Sequence, residues 1–181
     1  MVKGTGGFLD PEKVIEEFDI KEGMKIADFG CGAGYFAILI AKIVGENGKI
    51  YALDVLKTAL ESVRSRAKAE GLLNIETIWS NVEILGGSKL EDNSIDMALL
   101  ANILFQSSKK ADIIKEARRV VKQGGKIIII DWKKDQPFGP PQKLVVSEDL
   151  VRDLAKKEGL KLGREFPSGD NHWGMIFIKH G

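Results

Sequence analysis

The chain has 181 residues, the size of a single domain, and its 44% hydrophobic and 29% charged residues exclude a disordered chain. Lys plus Arg number 27 against 26 Asp plus Glu, a net charge of +1, so no general field draws nucleic acid or an anionic membrane. A single Cys excludes an internal disulfide and a multi-cysteine zinc site and suits a reducing, cytoplasmic setting, and two His leave little for a metal site; no metal is expected. The unusual feature is the 20 glycines, well above the average of about 7%.

Met1 to Gly7 is Gly-rich and lacks the apolar centre of a secretory signal, and no apolar run approaches the ~18 residues of a membrane span. Asp10 as N-cap and Pro11 at the first helical position start one short helix. Residues 1–22 are therefore expected to form an N-terminal lid segment with that helix, and 23–181 a single domain. Lys25 to Phe29 is a short strand ending in glycines, and Phe36 to Val44 is apolar at most positions, as a helix packed on a sheet is. Lys49 to Asp54 is a second strand. Thr58 with Glu61 has the form of a capping box, followed by the stripe Leu60, Val63 and Ala67 of a helix ending near Gly71. Asn74 to Trp79 is a third strand. Ile95 to Leu100 is a fourth, nearly continuous in apolar residues, as strands covered on both faces are.

Ile113, Ile114, Ala117, Val120 and Val121 predict a helix stopped by Gln123-Gly124-Gly125, and Lys126 to Asp131 holds four consecutive isoleucines of a central strand. Pro137, Gly139, Pro140 and Pro141 mark a loop. Ser147 caps a helix with Glu148 and Asp149 in its first turn, ending at Gly159. Leu160 to Phe166 and Trp173 to Ile178 read as two strands around Pro167 to Asn171, a turn short enough to make an antiparallel hairpin. Alternating strands and helices predict an α/β fold: a Rossmann-like, mostly parallel sheet with helices on both faces and an antiparallel edge from the hairpin.

Gly30, Gly32 and Gly34 lie in a loop between the first strand and the first long helix, where glycines let backbone amides approach a ligand. Asp54 ends the next strand, about 20 residues on, the place of an acid that binds ribose hydroxyls. The loop reads G-x-G-x-G after Asp28, whereas dinucleotide sites prefer G-x-G-x-x-G.

Residues 26–35, Ile-Ala-Asp-Phe-Gly-Cys-Gly-Ala-Gly-Tyr, resemble motif I of the class I S-adenosylmethionine-dependent methyltransferases, and the resemblance runs from about Asp10 to Lys179. It looks closest to the type 11 group, which includes ubiquinone- and menaquinone-biosynthesis-like enzymes. Tyr51 to Val55, Ser80 to Glu83, Asp92 to Met97 and Arg118 to Gly125 resemble its later motifs. The resemblance implies seven strands in the order 3-2-1-4-5-7-6, with strand 7 antiparallel. It implies S-adenosylmethionine as cofactor and S-adenosylhomocysteine as product. It also implies cofactor binding by Asp28, Gly30, Cys31, Gly32, Gly34, Tyr35, Asp54, Val55, Asn81, Val82 and Ala101. Asn81 stands where the family has an Asp contacting the adenine amino group, a contact its side-chain carbonyl can still accept. Phe105 and Gln106 stand where many relatives carry a His.

The catalytic residue is not legible. Asp131, at the end of the fifth strand, is the candidate base, with a turn acid as the plain alternative. Asn102 and Trp132 are candidate substrate contacts, Trp132 alternatively packing on Pro140 and Pro141. Lys133 and Lys134 are expected at the pocket mouth, and His172 in the hairpin turn. The acceptor is expected to be a small molecule. An RNA or protein acceptor, or a non-catalytic cofactor-binding role, are the alternatives, and a homodimer is compatible with the sequence.

Overall fold

The computed structural model describes residues 9–137 and 139–181. Residues 1–8 of the expected N-terminal lid segment lie outside the described residues.

Seven strands, β1 (Lys25–Phe29), β2 (Lys49–Asp54), β3 (Ile75–Trp79), β4 (Ile95–Ala101), β5 (Val121–Trp132), β6 (Leu160–Pro167) and β7 (His172–Lys179), form one sheet in the order β3-β2-β1-β4-β5-β7-β6. The pairings among β1 to β5 are parallel, and β7 runs antiparallel to both β5 and β6, as expected. The helices are α1 (Pro11–Val14), α2 (Tyr35–Val44), α3 (Lys57–Ala69), α4 (Lys110–Val120) and α5 (Glu148–Lys157).

The isoleucine run of β5 shows how the sequence places the layers. Successive strand residues face opposite ways. Ile127 and Ile129 enter a core with Ile113, Ala117 and Val120 of α4 and Val151 of α5. Ile128 and Ile130 enter the other, with Ala37, Ile40 and Val44 of α2 and Leu60 and Val63 of α3. All four isoleucines are fully buried, each stabilising the fold by roughly 1.5–3 kcal/mol. Phe18, just beyond α1, stacks on Phe36 at 6.1 Å and meets Phe166 of β6 edge-on at 5.9 Å, which fastens the N-terminal segment to the second face.

Asp10 and Ser147 cap their helices as expected, accepting from Glu12 N and Leu150 N at 3.2 Å each. Other local expectations are corrected. Thr58 does not cap α3, whose N-cap position is Leu56 with no side-chain cap bond. Instead Asp54 reaches forward from β2, its Oδ1 accepting from Leu56 N at 2.9 Å. Gln123-Gly124-Gly125 does not separate helix from strand. Val121 already pairs with Ile95, and the register shifts before Met97 pairs with Lys126, so the glycines form an irregularity within β5. His172 lies outside the hairpin turn: it opens β7 opposite Trp132. Among the described residues no helix is long and apolar enough to cross a membrane.

Candidate functional site

Ligands of open α/β sheets bind beyond the carboxyl ends of the strands, where the strand order reverses. Here that point lies between β1 and β4. The chain leaving β1 turns through Gly30, Gly32 and Gly34, all at positive φ. Gly30 N and Cys31 N donate to Leu53 O at 2.8 and 2.9 Å, which ties the loop to β2. At Gly34 a side chain has no room, because a Cβ would stand 2.7 Å from Val63 Cγ2, whereas a Cβ at Gly32 would meet nothing within 4 Å. Gly32 N donates to Asp54 Oδ2 at 3.0 Å. Asp54 therefore holds the glycine loop with one oxygen and the start of α3 with the other.

Around this junction opens a cleft of about 490 Å³. Its walls come from the ends of four strands: Gly30 and Gly32 after β1, Asp54 to Leu56 after β2, Ser80 to Glu83 after β3, and Asn102 and Ile103 after β4. Two buried polar atoms of residues on these walls, Ser80 Oγ and Asn102 Oδ1, have no hydrogen-bond partner among the described residues. Such groups are costly unless something satisfies them. Asn102 is held in the left-handed region at φ 55°; its amide donates to Ile130 O at 2.8 Å and its carbonyl accepts from Gln106 Nε2 at 2.7 Å. Asn81 Oδ1 accepts from Glu83 N at 2.9 Å, and Glu83 Oε1 accepts from Ser107 Oγ at 2.5 Å.

The loop after β3 is anchored from below by Glu116, which no motif had marked. Its fully buried carboxylate accepts from Gly86 N at 2.8 Å, Ser88 N at 3.0 Å and Ser88 Oγ at 2.5 Å, and pairs in a two-pronged bond with Arg119 at 2.7 and 2.9 Å. Burial pushes this carboxyl up, but Arg119, Ser88 and the two amides outweigh it and hold the pKa at about 2. The signal was present: positions 113, 116, 117 and 120 have the i, i+3, i+4, i+7 spacing of a core face, and an acid there needs a partner.

Of the residues expected at the site, Gly30, Gly32, Asp54, Val55, Asn81, Val82 and Asn102 line the cleft. Leu56, Ser80, Glu83, Ile103, Gln106 and Ser107 line it as well and had been assigned no role. Asp28 lies beneath the loop, 2% exposed, and burial together with the Asp54 charge raises it to about 7. Cys31 is buried, and burial followed by the Asp28 and Asp54 charges pushes its thiol well up, as for an inert small residue. Tyr35 lies under the Arg66 guanidinium at 4.2 Å, and Ala101 packs into the core.

The residues expected on the substrate side are placed differently. Asp131 is fully buried, with Oδ1 accepting from Trp132 N at 2.8 Å and Oδ2 from Phe105 N at 3.2 Å. Burial raises it to about 6 against the pull of those amides. It fastens the loop after β4 and is not among the cleft residues. The Trp132 ring meets His172 at 4.1 Å and leaves no room for a side chain at Gly139. Lys133 and Lys134 are not at the mouth of the cleft. Lys133 Nζ donates to Gly169 O and Asp170 O at 3.2 and 3.1 Å, and Lys134 borders a separate hollow beside Val145 and Glu148.

A doubly wound sheet with this strand order and a glycine-lined cleft at its switch point defines an α/β protein built to hold a ligand across β1, β2 and β3. Residues 20–173 match the model of the methyltransferase domain family, and the chain belongs to that family. A demethylmenaquinone methyltransferase from Bacillus mycoides (strain KBAB4) is 31% identical over 148 residues, 82% of this chain and 61% of that protein. The chain thus spans less than two thirds of the length of the curated relatives it matches. In crystal structures, a SAM dependent methyltransferase from Aquifex aeolicus superposes with a TM-score of 0.85 at 34% identity, covering 95% of this chain and 90% of that one. An arsenic(III) S-adenosylmethionine methyltransferase from Chlamydomonas reinhardtii superposes with a TM-score of 0.71 at 25% identity, covering 89% and 65%.

Proposed function

We propose that this chain is an S-adenosylmethionine-dependent methyltransferase acting on a small molecule. The observation that carries the reading is the cleft beside the Asp54–Gly32 clamp, with two orphaned polar atoms on its walls. The residues present fit the cofactor. Gly32 leaves open space for its amino-acid part, the Asp54 carboxylate on the cleft wall suits a cationic ligand, and Ser80 Oγ and Asn102 Oδ1 await polar partners. Val55, Leu56 and Val82 offer apolar walls to a base.

Bound there, S-adenosylmethionine supplies a methyl group on positively charged sulfur, open to in-line attack. The protein has to align the acceptor and exclude water. Asp54 fixes the glycine loop, and Asn102, whose backbone is locked by Ile130 and Gln106, keeps a buried side-chain oxygen unpaired among the described residues at the β4 end of the cleft. Asp131, occupied by backbone amides, shapes the wall after β4 rather than taking a proton. An acceptor ionised near neutral pH, such as an acidic hydroxyl, needs no dedicated base. The demethylmenaquinone named for the curated relatives supports a quinone-like small-molecule acceptor. The near-zero net charge supports it over a nucleic acid.

The test is calorimetry with S-adenosylmethionine, followed by release of S-adenosylhomocysteine in the presence of a panel of quinols and phenols. Binding with turnover on at least one acceptor supports the reading. No binding at millimolar cofactor rejects it. Binding without turnover on any small acceptor leaves the non-catalytic cofactor-binding role.

A further inference from the structure

Adenine presents a hydrogen-bond donor, its amino group, beside an acceptor, the neighbouring ring nitrogen. A protein that reads that edge needs an acceptor and a donor side by side. Asn81 cannot offer both freely. The backbone amide of Glu83 is a donor and can only be met by the oxygen of the Asn81 side chain, at 2.9 Å. That contact fixes the amide orientation: Oδ1 faces its own turn, and Nδ2, with no partner among the described residues, is the group left for a ligand. A donor there opposes an amino group and matches a ring nitrogen.

Two residues on, Glu83 supplies the complement. Ser107 Oγ accepts from Lys109 N at 2.9 Å, so its hydroxyl proton is directed at Glu83 Oε1, 2.5 Å away. This holds the carboxylate with its other oxygen unengaged. Glu83 is half-buried and lines the same cleft as Asn81 and Val82. The β3 end of the cleft therefore carries an amide donor and a carboxylate acceptor two residues apart on one Asx turn.

We infer that Glu83 is the acceptor for the amino group of the cofactor's base, with Asn81 Nδ2 donating to the adjacent ring nitrogen. The inference rests on the S-adenosylmethionine reading above. It makes Glu83 a specificity-determining residue, with Ser107 as its positioning partner.

The experiment measures the affinities of S-adenosylhomocysteine and S-inosylhomocysteine by calorimetry. The inosine analogue carries a keto oxygen and a protonated ring nitrogen, inverting both hydrogen-bond senses. The wild type is expected to prefer the adenosine form by more than tenfold, since a site built for an N–H rejects the ligand lacking it. Glu83→Ala is expected to weaken S-adenosylhomocysteine about tenfold and to shrink the preference by a similar factor. Adding Asn81→Asp to that variant returns a free acceptor oxygen at position 81 and restores the preference. Equal weakening of both ligands in Glu83→Ala means a strut and nothing more, and overturns the inference, as does an unchanged affinity. Ser107→Ala is the second check: it weakens binding less than Glu83→Ala and keeps the adenosine preference. A wild-type chain that binds neither ligand rejects the cofactor reading itself, a result distinct from binding without discrimination.

Discussion

The Asp54 carboxylate accepts from Gly32 N at 3.0 Å and from Leu56 N at 2.9 Å, so one acid joins the first βα loop to the start of α3. The residue expected to take the ribose hydroxyls is thus also the residue that sets the loop. Asp54→Ala removes a charge-assisted acceptor from two amides and from the ligand. It is expected to weaken S-adenosylhomocysteine by about 1–3 kcal/mol, roughly a factor of 5 to 150. Asp54→Asn keeps one acceptor and lies between the two. Calorimetry on the three proteins checks the order.

Glu116 and Arg119 give a prediction about the floor of the site. Removing one partner of a buried ion pair strands the other and typically costs about 3–5 kcal/mol. Glu116→Ala also frees the amides of Gly86 and Ser88, which the carboxylate holds at 2.8 and 3.0 Å. The variant is expected to lose stability of that order in urea titration. It should also bind S-adenosylhomocysteine more weakly, because the loop carrying Asn81 and Glu83 loses its anchor.

The strand order followed from family resemblance, whereas the hairpin and the two-sided burial of β5 could be read from the residues themselves. Four consecutive isoleucines admit no exposed face, and a five-residue turn admits no crossover. What escaped was contact between segments far apart in sequence. Thr58 has the chemistry of a cap, but Asp54 reaches Leu56 first and starts the helix two residues earlier. Asp131 at a strand end looks like a free acid until the amides of Phe105 and Trp132 are folded onto it. The same holds for Asn81, whose replacement of an Asp is visible in sequence, while the direction of its amide depends on a turn.

Stability of the ligand-free protein is expected to peak in mildly acidic solution. Asp28 moves from its ordinary 3.8 to about 7 on folding, and Asp131 from 3.8 to about 6. Between those values the folded state holds protons that the unfolded state has lost, so stability falls as pH rises from about 4 to 7. Glu116 moves the other way, from 4.5 to about 2. Its contribution is present above 4.5 and is lost as pH falls toward 2. Urea midpoints are therefore expected to be higher at about pH 5 than at pH 8 or pH 3. Asp28→Asn should flatten the alkaline limb, and a midpoint that rises steadily to pH 8 contradicts the assignment.

Gly32 and Gly34 separate the two duties of the loop. Both sit at positive φ, 52° and 82°, where a side chain costs roughly 1–2 kcal/mol. At Gly34 the added Cβ also strikes Val63 Cγ2 at 2.7 Å and comes within 3.5 Å of the Val63 backbone, so α3 has to shift. At Gly32 it strikes nothing in the protein and projects into space the ligand needs. Gly34→Ala is therefore expected to lower the thermal midpoint more than Gly32→Ala. Gly32→Ala should instead lose the larger share of S-adenosylhomocysteine affinity, by at least tenfold. The two readouts, melting and calorimetry on the same pair of variants, are expected to rank the glycines in opposite orders. A common ranking would place the ligand away from Gly32.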